Sequence, residues 1–295
     1  MRLLLSLLLV AGAGFDIGAV RDVTVAPGEI LHTTSEGSGR PVVLVPGLFG
    51  SAYSWRKVVT RLTGQGFRTV VVEPLGTGAS GHPGGSDYSL TAQADRLAAA
   101  LDSLGIRDAV LVAQSVGASM VLRLAARHPA LVKGVVSLDG GPIESAATPG
   151  LRHAMKFAPL LKLFMGTGTI RKKLRAGMLK NSGDSTWITD DVVRGYTDPA
   201  GKEVGPTINA FRGMARSREP ERLADRLRDI HAPVRLMVGG VPHESGVGSE
   251  EIAELRAGLP NFAVDSVAGS GQYIQEENPD AVARVIVGLY GPALP

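Results

Sequence analysis

The sequence predicts an α/β protein with a mostly parallel sheet of about eight strands and helices on both faces. Three observations support this prediction. Short runs rich in β-branched residues alternate with helical periodicity, the alternation opens with a hairpin pattern, and one long segment interrupts it with helices alone. Near the middle of the chain, a buried strand runs directly into an alanine-rich helix. This order is typical of a sheet whose parallel strands are joined by crossover helices.

Two runs separated by Pro27-Gly28 predict an antiparallel hairpin, and continuous apolar runs after it predict buried strands. The predicted strands are residues 21–25, 29–34, 41–45, 68–72, 109–112, 135–138, 234–238 and 262–267. The predicted helices between them are residues 51–62, 90–104, 116–127, 250–259 and 279–289.

The alternation breaks once, over residues 144–228, which show helical patterns without strands. We therefore predict a core made of residues 21–143 and 229–295, with residues 144–228 inserted after the sixth strand as a helical cap. Residues 1–20 hold one arginine, an apolar run and small residues, and they predict either a signal peptide or an apolar N-terminal segment. A genuine signal predicts export to the periplasm or medium, and otherwise the protein is cytoplasmic.

Composition excludes several classes of function. The chain has 31 basic and 28 acidic residues, a surplus too small for a nucleic-acid surface. It has no cysteine, which excludes disulfides and thiolate zinc sites, and its six histidines form no ligand pair at helical spacing. We expect no metal and no cofactor. The expected partner is a small-molecule substrate or ligand, with membrane contact only through an uncleaved N-terminus.

The sharpest local pattern places Ser115 at the bend between a strand and a helix, with Ala113 and Gly117 two residues to either side. A tight strand-to-helix turn leaves room only for small residues at those two positions. The turn exposes the serine oxygen at a helix N-terminus, where backbone N–H groups stabilise developing negative charge. Ser115 is therefore the candidate nucleophile, and the Val116 N–H is a candidate oxyanion donor. The alternative is a simple helix N-cap.

A second pattern, Pro46-Gly47-Leu48-Phe49-Gly50-Ser51, follows the third predicted strand. A loop at this place supplies the other N–H of an oxyanion hole, and that donor would be Leu48. The order and spacing of the two patterns agree with one acyl-transfer site.

With these patterns the chain resembles the α/β-hydrolase family, in particular its cap-bearing esterases, lipases and epoxide hydrolases, over nearly its whole length. The stretch Glu73-Pro74-Leu75-Gly76-Thr77-Gly78-Ala79-Ser80 is similar to a family turn, and residues 267–279 are similar to its last catalytic loop. The resemblance implies the α/β-hydrolase fold, with a serine nucleophile and a histidine base. In that loop the histidine position holds Gln272.

The replacement matters because a serine hydroxyl must lose its proton as it attacks, and a glutamine amide has no protonation change near neutral pH. His243, in the loop after the seventh predicted strand, is a candidate substitute base that could reach Ser115 directly or through water. Two carboxylates are candidates for the acid of the triad, Asp139 after the sixth strand and Glu244 after the seventh. Both remain open at this stage.

Four apolar side chains are candidates for the substrate pocket: Phe49, Phe157, Leu161 and Phe164. The sequence thus predicts a carboxylesterase-like serine hydrolase for a small apolar ester or related acyl substrate, with an incomplete triad and reduced activity. The alternative is a catalytically inactive protein of the same fold that binds a small apolar ligand.

Overall fold

The computed structural model describes residues 18–146, 167–201, 204–244 and 246–291. Eight strands form one sheet in the order β1-β2-β4-β3-β5-β6-β7-β8. The strands are β1 (Ala19–Ala26), β2 (Glu29–Glu36), β3 (Arg40–Val45), β4 (Phe67–Val72), β5 (Ala109–Gln114), β6 (Val132–Leu138), β7 (Val234–Gly239) and β8 (Phe262–Val267). The antiparallel pairs are β1 with β2 and β2 with β4, and the other pairs are parallel. The predicted fold class is confirmed.

Helices cover both faces of this sheet. The α-helices are α1 (Arg56–Thr63), α2 (Leu90–Ser103), α3 (Val116–Arg127), α4 (Thr167–Lys180), α5 (Asp190–Gly201), α6 (Val204–Arg216), α7 (Leu223–Arg226), α8 (Ser249–Gly258), α9 (Ile274–Glu277) and α10 (Pro279–Tyr290). Short 3-10 helices lie at Ala52–Trp55, Pro129–Leu131 and Leu227–Asp229.

Strand β3 shows how the core is built, because successive side chains point to opposite faces of a strand. Val43 and Val45 pack in the hydrophobic cluster that contains residues of α2 and α3. Val42 and Leu44 pack in the cluster on the other face, which contains residues of α1 and α10. Both faces of the central strand are therefore buried, as the continuous apolar run predicts.

The described part of the predicted cap contains α4 to α7 and no strand. Arg123 of α3, only 2% exposed, holds both ends of this segment against the body. Its guanidinium donates to Glu144 at 2.6 Å and lies 3.3 Å from Glu219. Glu219 in turn accepts the Leu90 N–H at 2.7 Å, at the start of α2. The ends of the inserted segment are thus fixed to the layer of α2 and α3.

Residues 1–17, where a signal peptide is predicted, lie outside the described part of the chain. Within the described part, none of the helices combines the length and the apolar character that crossing a bilayer requires.

Candidate active site

The strand-to-helix turn at Ser115 has a strained backbone. Ser115 adopts φ 51° and ψ −124°, a left-handed conformation that non-glycine residues rarely occupy and that costs about 1–3 kcal/mol. Its N–H donates to the Leu138 carbonyl at 3.0 Å, and its carbonyl accepts the Ala118 N–H at 3.0 Å. These bonds fix the turn between β6 and the first turn of α3. Strain of this kind persists only where the surrounding structure enforces it.

Three glycines allow the chain to pack closely around Ser115. A Cβ atom at Gly117 would lie 3.1 Å from the Pro46 carbonyl oxygen, and one at Gly47 would lie 3.6 Å from the Ser115 Cβ. A Cβ atom at Gly140 would lie well inside 3.0 Å of the Ser115 carbonyl oxygen. The loops after β3 and β6 therefore touch the turn on two sides.

The loop after β3 carries the candidate donor Leu48. A hydrogen bond of 2.9 Å from the Gly50 N–H to the Gly47 carbonyl closes this loop into a turn. Phe49 is 55% exposed, and its ring meets the Phe211 ring of α6 edge to face, with 5.3 Å between centroids. Phe49 thus joins the loop after β3 to helix α6 of the predicted cap. The other three predicted pocket residues, Phe157, Leu161 and Phe164, lie outside the described residues.

A buried carboxylate anchors the end of the same loop. Glu73, 2% exposed, accepts the Ala52 N–H at 2.7 Å and the Ala79 N–H at 2.6 Å. Burial raises the pKa of the Glu73 carboxyl, and the two N–H donors oppose this shift. Gly78, at φ +54°, leaves the space that the carboxylate occupies, because a Cβ there would overlap it.

Asp139 follows β6 directly and lies beside the Ser115 turn. It is 3% exposed, adopts φ 50° and forms a buried pair with His243, 104 residues away. Its second carboxylate oxygen accepts the Val247 N–H at 3.3 Å. Burial raises the pKa of the Asp139 carboxyl, and the neighbouring His243 opposes the shift. This pair, from loops of two adjacent strands, is the main feature that sequence patterns did not reveal.

Both ring nitrogens of His243 face oxygen atoms. Nδ1 lies 2.7 Å from the Val241 carbonyl, and Nε2 contacts the Asp139 carboxyl. A carbonyl oxygen only accepts, so Nδ1 carries a hydrogen. Nε2 either donates to ionised Asp139 or accepts from protonated Asp139. In both states the ring has no free nitrogen to take a proton from Ser115. This differs from the sequence-based prediction that His243 could contact Ser115 directly.

The second candidate acid, Glu244, lies elsewhere. Its side chain is 61% exposed and pairs with Lys180 at 2.5 Å. Its N–H donates to the Asn181 side-chain oxygen at 3.0 Å. Glu244 therefore links its loop to the end of α4, and its carboxylate forms a solvent-exposed ion pair with Lys180.

Gln272 lies in the loop between β8 and α9, half buried, and its main-chain N–H donates to the Asn181 carbonyl at 2.8 Å. Glu277 supports the same loop by accepting the Gly271 N–H at 2.5 Å and the Gly183 N–H at 2.9 Å. Asn181 thus touches both the Gln272 loop and the His243 loop. No sequence motif marks Asn181, because its role depends on how the inserted helices return to the body.

The described residues contain no group of three or more carboxylate or imidazole side chains that could hold a metal ion. The groups that the parallel strands bring to one edge are Leu48, Ser115, Asp139, His243 and Gln272, each in a loop that follows a strand. Ligands of open α/β sheets bind outside the carboxyl ends of the strands, which is this edge.

Comparison with known proteins gives a consistent result. A family model described as alpha/beta hydrolase fold matches residues 40–183. A haloalkane dehalogenase from Mesorhizobium japonicum is 27% identical over 280 residues, which cover 86% of this chain and 85% of that protein. A 2-(acetamidomethylene)succinate hydrolase from the same organism is 26% identical over 267 residues, covering 88% of this chain and 91% of that protein.

Solved structures show the same architecture. The epoxide hydrolase CorEH without ligand superposes with a TM-score of 0.77 at 19% identity, covering 94% of this chain and 99% of that one. An alpha/beta hydrolase fold protein from Burkholderia ambifaria gives a TM-score of 0.76 at 22% identity, covering 92% and 98%. At these identities the likeness establishes the fold.

Proposed function

We propose that this chain, which has the α/β-hydrolase fold, is a serine hydrolase that cleaves a carboxylic ester or related acyl substrate through Ser115. The observation that carries the proposal is the strained left-handed backbone of Ser115 at the junction of β5 and α3. A serine that merely capped a helix would have extended backbone angles and would accept an N–H bond from the first turn. Ser115 has neither the angles nor such a bond.

The chemistry of a serine nucleophile selects acyl substrates. Attack of the Ser115 oxygen on an acyl carbon forms an ester, which water can later hydrolyse. Attack on the saturated carbon of an alkyl halide or an epoxide would form an ether, which water does not cleave under mild conditions. For this reason we do not extend the activity of the similar dehalogenase and epoxide hydrolase to this chain.

In the proposed reaction the substrate carbonyl oxygen points toward the N–H groups of Leu48 and Val116. The Ser115 oxygen bonds to the acyl carbon, the bond to the leaving alcohol breaks, and the serine proton departs with that alcohol. Water then adds to the acyl-enzyme, and the acid product leaves as the Ser115 hydroxyl re-forms. Asp139, which lies beside the Ser115 turn, is the candidate acid of the triad.

Turnover is expected to be slow, because neither of the two described side chains considered for the role of base, those of Gln272 and His243, is available to take the Ser115 proton. Gln272 cannot accept a proton near neutral pH, and both nitrogens of His243 are engaged. Loss of a triad base lowers the rate by about 10⁴ to 10⁶, while binding and the oxyanion hole retain roughly 10³ over water.

Gln272 and the engagement of both His243 nitrogens also favour one other candidate function, a protein that binds a small apolar ligand without turning it over. In that case Phe49, exposed beside α6, would contact the ligand, and Ser115 would not be acylated.

The proposal is tested by initial rates of p-nitrophenyl butyrate hydrolysis for the natural protein, Ser115→Ala and Ser103→Ala. Ser103 is an exposed serine at the end of α2 and serves as the matched control. We expect slow hydrolysis that Ser115→Ala abolishes and Ser103→Ala retains. Mass spectrometry after treatment with a fluorophosphonate should locate one adduct at Ser115. Absence of both hydrolysis and adduct would favour the ligand-binding function.

A further inference from the structure

The loops after β7 and β8 run side by side, and this brings the His243 and Gln272 segments together. The Val241 N–H donates to the Ser270 carbonyl at 3.0 Å. Asn181 then joins the two loops: its carbonyl accepts the Gln272 N–H and its side-chain oxygen accepts the Glu244 N–H, at 2.8 and 3.0 Å. The loop that carries His243 and the loop that carries Gln272 therefore meet at Asn181.

His243 is held at this junction on both sides. Its side chain is 8% exposed, and the side chain of its partner Asp139 is 1% exposed. The segment after it closes over the pair: the Val247 N–H donates to Asp139, and a Cβ at Gly246 would lie 2.6 Å from His243 Nε2. Asp139 thus has both carboxylate oxygens bonded within the β7 loop.

A serine triad needs its carboxylate for another purpose. The acid must accept the N–H of the base from the side opposite the serine, which fixes the tautomer and the orientation of the imidazole. Removing this orientation lowers turnover by about 10⁴ even when the histidine and serine are intact. A histidine at position 272 would have to compete for this carboxylate with His243 and the Val247 N–H, which already engage both of its oxygens.

We infer that His243 is a positioning residue that captures Asp139, so that the Ser115 site is silenced at two positions, Gln272 and His243. This inference rests on the proposed function of Ser115. It predicts that restoring a histidine at position 272 alone recovers only part of the activity. Releasing Asp139 from His243 in the same chain recovers the rest.

The test compares kcat and KM for p-nitrophenyl butyrate in Gln272→His, in Gln272→His with His243→Ala, and in Gln272→His with His231→Ala. His231 is an exposed histidine before β7 and is the matched control. We expect the His243→Ala double variant to exceed Gln272→His at least tenfold in kcat, with KM changed less than twofold. The His231→Ala double variant should equal Gln272→His. Adding Asp139→Asn should remove the gain, because the gain acts through that carboxylate.

A double variant with His243→Ala that is no faster than Gln272→His would overturn the inference. If His243→Ala lowers the midpoint of thermal unfolding below the assay temperature, His243→Leu replaces it, since this side chain fills more of the space and has no hydrogen to donate to Asp139.

A second readout separates this inference from the proposed function. The imidazole NMR signals of His243, assigned by their loss in His243→Asn, should shift in Asp139→Asn, whereas those of His231 should not. If no variant hydrolyses ester or reacts with fluorophosphonate, the function proposed for Ser115 fails while this shift still supports the capture of Asp139. Unshifted His243 signals would refute the capture, whatever the activities.

Discussion

The Gly140 Cα lies directly against the Ser115 carbonyl, so that a Cβ atom added at Gly140 would approach that oxygen well inside 3.0 Å. It would also meet the Ala118 Cβ inside the same limit. The first turn of α3 and the loop after β6 are therefore packed without space for a methyl group. The Ser115 turn and the segment that carries Asp139 are therefore in direct contact.

We predict that Gly140→Ala displaces the Ser115 turn. Overpacking of this kind typically costs about 1–3 kcal/mol in unfolding free energy. We expect a lower urea midpoint and at least a tenfold slower reaction of Ser115 with a fluorophosphonate. The control is Gly288→Ala in α10, where a Cβ meets nothing within 4 Å. This change should stabilise the helix by about 0.5–1 kcal/mol. Equal labelling of Gly140→Ala and the natural protein would contradict the prediction.

The buried Glu73 carboxylate gives a second prediction. Glu73→Gln keeps one acceptor but turns an NH₂ group toward either the Ala52 or the Ala79 N–H. Leaving one buried donor unpaired costs about 1–3 kcal/mol. We expect that loss in urea unfolding at pH 7, together with weaker Ser115 labelling, because Ala52 directly follows the proposed oxyanion loop. Glu250→Gln, exposed on α8, should change neither quantity.

The cost of Glu73→Gln should also grow on acidification. Because burial raises the pKa of Glu73 in the folded state, the folded protein takes up this proton at a higher pH than the unfolded chain. Stability contributed by such a group rises as pH falls through the folded pKa. Urea unfolding of both proteins at successive pH values should therefore show the natural protein gaining relative to Glu73→Gln. A gap that narrows on acidification would show that the pKa is lowered instead.

Local patterns were sufficient to predict the sheet and the Ser115 turn. The motif of β5 and α3 spans adjacent residues, and the small residues at 113 and 117 report the tightness of the turn directly. Helix boundaries were less exact. The predicted helix over residues 51–62 is a 3-10 turn, Ala52–Trp55, followed by α1 from Arg56, since the backbone at Trp55 opens to φ −101° and ψ −3°.

The pairing of Asp139 with His243 could not be predicted in the same way. It joins residues 104 apart and depends on the path of the loop after β7. From sequence alone, Asp139 and Glu244 were both candidate acids after neighbouring strands, with a slight preference for Asp139. Their difference lies in burial, since one is enclosed beside Ser115 and the other pairs with a lysine in solvent. Tertiary packing determines which of the two carboxylates is buried, and the spacing of residues in the sequence does not show it.

The pair between Glu29 and Arg96 should show the opposite pH dependence from Glu73. Arg96 donates to both Glu29 oxygens at 2.7 Å, and this hydrogen bonding holds the pKa of Glu29 below its ordinary value. The charged form therefore stabilises the fold above the unfolded pKa, about 4.3, and this stability is lost as pH falls through the folded pKa. We expect Glu29→Gln to cost about 1–2 kcal/mol at pH 7.

Urea unfolding of Glu29→Gln across pH 7 to 3 checks this prediction. The difference from the natural protein should be constant near neutrality and shrink below the unfolded glutamate pKa. Asp102→Asn, which breaks the exposed pair with Arg107, should change stability by less than about 0.5 kcal/mol. A Glu29→Gln difference that stays constant down to pH 3 would argue that packing, and not charge, is lost.

The last prediction concerns Glu276 of α9, which joins the body to the inserted helices. Its carboxylate is fully buried, accepts from Arg56 at 2.5 and 3.0 Å, and lies 3.2 Å from Lys57. Tyr196 of α5 donates its hydroxyl to the same carboxylate at 3.1 Å. Burial raises the pKa of Tyr196 well above its ordinary value, so this hydroxyl keeps its hydrogen. It is the polar contact of α5 with a buried charge of the body.

Tyr196→Phe removes this donor and keeps the ring, which lies edge to face with the rings of Tyr53 and Tyr273 at 6.1 and 6.4 Å. A hydrogen bond to a charged group contributes about 1.5–3 kcal/mol, and two cations still hold Glu276, so we expect a cost near the lower limit. Hydrogen exchange should report roughly tenfold faster opening of α5 amides, with β5 amides unchanged. Arg194→Gln, on the exposed side of α5, is the control. Unchanged exchange in Tyr196→Phe would mean that ring packing alone docks α5, because the only group removed is the one that reaches Glu276.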